Sequence, residues 1–179
     1  MTSSQVAAEL QAGGEEVVDF FTSLDPVAAH LPVTASGHPG GRPWSPKDHL
    51  AHLVQREFDF LPIARRVIAQ ESYPVRLEHR GSTAQERTEF VNRENQAAIE
   101  DRKHATFADL LAEFVALRSE LASLVQGLSS DDLTRDVAVT AGRYVAAGVL
   151  LGSSDLHAKA HLQTLRGGLI DPSIESRIQ

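Results

Sequence analysis

Residues 106–127, TFADLLAEFVALRSELASLVQG, decide the fold class. Phe107, Leu110, Leu111, Phe114, Leu117, Leu121, Leu124 and Val125 recur every three or four positions, so they share one face of an α-helix. Thr106 starts this helix, and Gly127 with Ser129-Ser130 marks its end. A helix with one apolar face must bury that face against neighbours, so the rest of the chain is expected to supply similar helices.

It does so on both sides. Upstream, Ser82 to about Arg102 is polar but helix-permissive, with Phe90, Val91 and Ile99 as its few anchors, and reads as a shorter helix laid against the others. Residues 71–81, holding Pro74 and Gly81, read as a link. Before the link, Ser45-Pro46 opens a helix: serine suits the N-cap, and proline suits the first turn, where a missing N–H is no loss. Leu50, Leu53, Val54, Phe58 and Leu61 form its apolar stripe, and Pro62 is expected to kink it or end its regular part. Residues 25–45, rich in proline and glycine, read as a loop. Residues 3–24 read as the first helix, weakened at Gly13-Gly14 by about 1 kcal/mol per glycine. Downstream, residues 129–143 read as a second loop, in which the strand-like run Arg135–Thr140 is too short to found a sheet. Tyr144 to Arg166 forms the last helix, stopped by a Gly167-Gly168 C-cap, with 169–179 as a short tail. The expected architecture is all-α: a four-helix bundle with one additional shorter helix, as a single domain over residues 1–179.

Composition narrows the function classes. The formal net charge is −7 and the basic residues are scattered, so no strip suits a phosphate backbone and no nucleic-acid partner is expected. There is no cysteine, which excludes disulfides, thiolate ligands and a cysteine nucleophile. Any metal must be held by nitrogen and oxygen, and any thiol must arrive as a small molecule. No stretch approaches the ~18 apolar residues of a membrane helix, and Met-Thr-Ser-Ser-Gln-Val is not the start of a secretory signal. A cytoplasmic protein without a membrane partner is expected.

The eight histidines hold the chemistry. His157 and His161 are four apart on the last helix, hence on one face about 5–6 Å apart at Cβ. A third imidazole from a facing helix would complete a three-nitrogen cap for a metal ion, with coordination positions left open. On the second helix both His49 and His52 can point inward. Asp48, four residues before His52, either fixes the tautomer of that imidazole or simply places charge at the helix N-terminus. Gly148, Gly152 and Ser153 leave room beside an ion or allow close helix packing. Glu57 and Glu94 are candidate acid–base groups. His30, His38, His79 and His104 read as solvated.

The stretch Trp44-Ser45-Pro46-Lys47-Asp48-His49-Leu50-Ala51-His52-Leu53 resembles the second-helix motif of the DinB-like superfamily. That family's pattern is a Trp, an Asp-x-Leu-x-His core and a distant His-x-x-x-His; here Asp48, Leu50 and His52, then His157 and His161, fill it. The resemblance covers most of the chain, with its specificity in about a dozen positions. It selects His52 over His49 as the third ligand. It implies an up-down-down-up four-helix bundle, often a homodimer, whose three histidines hold a divalent metal, zinc or nickel before others. Relatives include bacillithiol- and mycothiol-dependent transferases and a mycothiol-dependent maleylpyruvate isomerase. The expectation is a divalent-metal-dependent transferase or hydrolase acting on a small-molecule substrate, with a low-molecular-weight thiol as cosubstrate. The alternatives are a non-catalytic metal- or ligand-binding bundle related to stress, and a helical interaction domain without an ion.

Overall fold

Four long helices carry the core of the computed structural model, which describes residues 2–35, 42–69, 75–76, 83–140 and 142–169. They are α1 (Ser3–Thr22), α2 (Pro46–Ala69), α4 (Phe107–Gln126) and α6 (Ala147–Leu169). The shorter helix α3 (Ala84–Asp101) lies against α2, and the single-turn helix α5 (Ser130–Thr134) against α6. Capping boxes start α1, α3, α4 and α5, with Thr2, Thr83, Thr106 and Ser129 each accepting from the backbone N–H three residues on. The bundle and the extra helix are thus as the apolar spacing predicts.

Helices α1 and α2 each pack on both α4 and α6. They therefore stand diagonally across the bundle, and every α2–α6 seam contact joins residues about a hundred positions apart. The apolar interior is divided. Val6, Leu10, Phe60, Leu61, Leu121, Val125 and Leu151 fill one half. Val17, Phe21, Leu50, Leu53, Val54, Leu110, Phe114, Leu162 and Leu165 fill the other. Between them each helix gives up its apolar residue: Gly13-Gly14 on α1, Glu57 on α2, Arg118 on α4, and Ser154-Asp155 on α6. Glu57 accepts from Arg118 Nη2 at 2.7 Å and from Ser154 Oγ at 2.5 Å. The glycines make room for this layer, because a Cβ at Gly13 would overlap Asp155 Oδ1 and one at Gly14 would stand 3.0 Å from Arg118 Cγ.

Several local expectations change. Helix α2 continues past Pro62 to Ala69. Residues 136–146 are a hairpin rather than loop and helix: β2 (Asp136–Thr140) pairs antiparallel with β3 (Arg143–Ala146) across Gly142 at φ 75°, and β1 (Val75–Arg76) adds to β2 in parallel. Tyr144 and Val145 thus lie in a strand, opposite Ala138 and Val137, and α6 begins at Ala147. The strand run looked too short because its main partner β3 reads as the start of the last helix and its other partner β1 is some sixty residues away. At the other end α6 runs through both glycines to Leu169; Gly168 meets the Val33 carbonyl, where a side chain would collide. Its role is close approach instead of capping. In the stretch read as loop, a 3₁₀ turn spans Ala28–His30, and an isolated bridge ties Thr34 to Trp44. The proline- and glycine-rich 36–41, most of the 71–81 link and the tail from 170 lie outside the described residues.

Candidate metal centre

Helices α2 and α6 bring the predicted histidines together. His52 comes from the middle of the first half of α2, and His157 and His161 from successive turns of α6. One nitrogen from each lies within 4.8 Å of the other two. The Nε2 atoms converge: His52 to His157 at 2.9 Å and His157 to His161 at 3.1 Å. Two nitrogens each about 2.0–2.1 Å from one ion stand about 3 Å apart, so these spacings fit a shared divalent ion.

His49 is also inside, 3% exposed, but it plays a different part. Its Nδ1 is 2.7 Å from His161 Nδ1, and its Nε2 is 2.7 Å from Thr34 Oγ1. It therefore stands behind His161 and does not join the three converging nitrogens. The two inward positions of α2, one turn apart, divide the tasks of facing the centre and backing it. Trp44 roofs the cluster, its ring centroid 5.2 Å from His49, 5.4 Å from His52 and 6.4 Å from the nearly parallel His161. Its position follows from the Thr34–Trp44 bridge, which seats the residue before Ser45 over the start of α2.

Burial depresses all four imidazoles. His52 is lowered to about 2, with His161 and His157 adding to the cost of charge. His49 and His157 are lowered to about 3, and His161 to about 4, where Arg56 is the second cause. Near pH 7 the cluster is neutral, the state in which imidazole is a ligand. Two buried donors or acceptors beside it, His52 Nδ1 and Trp44 Nε1, have no protein partner among the described residues.

Asp48 does not reach His52. Its Oδ2 accepts from the Ser45 N–H and hydroxyl at 2.8 Å each, and Arg42 grips both oxygens at 2.8 and 2.7 Å. Burial pushes this carboxyl up, but Arg42 and Ser45 outweigh it and hold it below the ordinary value. The helix N-terminal reading is the one the structure builds. Glu57 belongs to the buried layer described above, and Glu94 is exposed in a cleft between α2 and α3. Gly148 packs against Leu133, and Gly152 faces Val6, so these small residues serve packing. His30 and His104 are exposed, as expected; His38 and His79 lie outside the described residues.

A cavity of about 290 Å³ opens at the cluster, lined by Trp44, His52, Arg56, Val91, Asn95, His157 and His161. Sequence reasoning missed Arg56 and Asn95, since a lone arginine or asparagine on a helix carries no spacing signal. It also saw His49 only as a rival ligand. No helix among the described residues is long and apolar enough to cross a membrane.

The sequence profile of the DinB superfamily matches residues 9–165. No curated protein sequence matches significantly. Three solved structures share the fold. An uncharacterised protein from Escherichia coli UTI89 superposes with a TM-score of 0.65 at 16% identity, over 90% of this chain and 91% of its own. YfiT from Bacillus subtilis, described as a probable metal-dependent hydrolase with an unusual four-helix bundle topology, gives 0.60 at 16%, over 92% and 82%. The mycothiol-dependent maleylpyruvate isomerase gives 0.59 at 14%, over 92% of this chain and 61% of that one. At such identities the likeness is one of fold.

Proposed function

We propose, for a chain that belongs to the DinB superfamily, that His52, His157 and His161 hold a divalent ion, zinc or nickel, at the centre of a small-molecule transferase or hydrolase. The observation that carries this reading is the convergence of three Nε2 atoms at the floor of a cavity. A bound ion would supply Lewis acidity, lowering the pKa of a water or thiol that reaches it.

The chain's own residues set the conditions for that chemistry. The imidazoles are neutral and need no proton removed before binding. Trp44 lies against His52 and His161 and covers that side of the cluster. The described cavity lining contains no carboxylate, and Glu57 is committed to Arg118 and Ser154. Among the described residues no side-chain general base lines the cavity, where hydrolysis would use one. That favours a low-molecular-weight thiol as cosubstrate over water, since a thiol starts from a pKa near 8.5 and needs less help to ionise. The cysteine-free sequence leaves no internal thiol to compete for the ion.

The test is metal analysis of the untagged protein, followed by turnover assays with small thiols and a panel of electrophiles. The expected result is one tightly held divalent ion per chain, lost in His157→Ala, and turnover that needs both metal and thiol. Metal-free native protein that takes up no added zinc or nickel would remove the centre. A stoichiometric ion without turnover on any thiol or hydrolytic substrate would leave a binding protein in place of an enzyme.

A further inference from the structure

The buried polar layer lies directly beneath the histidines. Polar contacts across the α2–α6 seam follow in order: His49 with His161 at 2.7 Å, His52 with His157 at 2.9 Å, and Glu57 with Ser154 at 2.5 Å. The α6 number falls as the α2 number rises, so the two helices run antiparallel and these contacts are successive rungs. Glu57 is five residues past His52, and Ser154 three before His157. At 1.5 Å per residue, the layer stands about 7.5 Å along α2 and about 4.5 Å along α6 from the His52–His157 rung.

The buried residue of α2 between Val54 and Phe60 is Glu57, and those of α6 between Leu151 and Ala158 are Ser154 and Asp155. The two helices thus meet here through a hydrogen bond, where the interior above and below packs apolar side chains. Glu57 is itself held from behind. Arg118 Nη2 on α4 donates to it at 2.7 Å, and Nη1 of the same guanidinium reaches the Leu10 carbonyl of α1 at 3.4 Å. All four long helices are tied at one level. The pair is almost wholly buried, and Glu57 Oε2 and Arg118 Nε have no partner among the described residues. Well-packed apolar residues in place of a buried ion pair are often as stable or more so, so stability does not account for these charges. A buried polar contact adds register instead. Apolar surfaces tolerate sliding, whereas a hydrogen bond holds its atoms within a few tenths of an ångström. A metal site needs its ligand distances held within about 0.2 Å.

We propose that this layer fixes the register of α2 against α6, and that Glu57 and Ser154 are positioning residues for His52 and His157. They act through the helices that carry the imidazoles. The inference rests on the metal reading above and adds what holds its geometry.

The experiment loads the full chain with cobalt(II) and reads the ion's visible absorption and its affinity by chelator competition. Ser154→Ala removes one hydroxyl and leaves the Glu57–Arg118 pair in place. It is expected to keep native helical circular dichroism, to bind cobalt about tenfold or more weakly, as when an outer partner of a metal site is lost, and to shift the absorption bands. The double variant Glu57→Leu, Arg118→Met removes one charge of each sign and leaves the net charge unchanged. It should alter the bands in the same way, which a role in stability alone would not do. Val125→Ala, in the half of the core away from the histidines, loosens the fold without touching the layer and should keep the native bands and affinity. Native cobalt affinity and bands in Ser154→Ala or in the double variant, or an equal loss in Val125→Ala, overturns the positioning role and leaves the metal centre standing. A native chain that takes up no cobalt overturns both.

Discussion

The Nδ1 atoms of His49 and His161 lie 2.7 Å apart, so His161 meets His49 through one ring nitrogen and His157 through the other. One proton arrangement that leaves a lone pair for the centre runs back to the loop. The Thr34 hydroxyl donates to the Trp44 carbonyl, 3.5 Å away, and accepts from His49 Nε2–H at 2.7 Å. His49 Nδ1 is then a lone pair, which accepts from His161 Nδ1–H. The free lone pair of His161 is left at Nε2, the atom that meets His157. In that arrangement a loop residue is linked to the tautomer of a helix residue through an intervening ring.

If the proposed centre holds, His49→Leu should keep the three clustered histidines and lose the partner behind His161. Removing such an outer partner typically weakens metal affinity 10–100-fold. His49→Asn, whose side-chain oxygen can replace Nδ1 as acceptor, should recover most of that loss. Competition with a chelator of known affinity measures both. Equal zinc affinity in the native and His49→Leu proteins would show that the contact does not matter for binding.

Gly13→Ala should destabilise the fold although alanine is the better helix former by about 1 kcal/mol. The added methyl would overlap Asp155 Oδ1 inside the bundle. Asp155 is 4% exposed and its other oxygen accepts from Lys159 at 2.7 Å, so it has little freedom to withdraw. A net loss of about 1–3 kcal/mol in denaturant unfolding is expected, as for other overpacked sites. A stabilised variant would mean that the layer has slack.

The same layer predicts non-additivity. Arg118→Met leaves Glu57 buried without its guanidinium, a change that costs about 3–5 kcal/mol. The double variant Glu57→Leu, Arg118→Met removes both charges and should be clearly more stable than Arg118→Met alone. A double-mutant cycle by urea unfolding gives the coupling, and a value near zero would contradict the 2.7 Å pair.

Legibility from sequence followed the range of the interactions. The bundle was readable because each helix carries its own apolar spacing, and the three-histidine cluster because the His157–His161 spacing and the family-like motif at His52 are local signals. The hairpin after α5 was not, because Arg143–Ala146, its second strand, runs straight into α6 and from Tyr144 on reads as part of that helix. The meaning of Gly13-Gly14 was not readable either: a helix-weakening pair becomes intelligible only once Asp155 and Arg118 are seen to occupy the space. Nor could spacing alone separate His49 from His52, since both point inward; the neighbours Thr34 and His161 make the distinction.

Acid should unfold the metal-free protein through its histidines. Their folded pKa values are depressed to about 2 for His52, 3 for His49 and His157, and 4 for His161, against 6.5 in the unfolded chain. Between those limits the unfolded chain binds more protons than the folded one, so stability rises with pH there. The contribution is fully present above about pH 6.5 and is lost progressively as the pH falls toward 4 and below. The limiting slope is about 1.4 kcal/mol per pH unit for each histidine charged only in the unfolded state. Urea midpoints measured between pH 7.5 and 4.5 should fall steadily, and His52→Gln should flatten the profile by about one histidine's share. A midpoint that stays level over that range would mean that these imidazoles titrate normally, and thus that they are not packed together between α2 and α6.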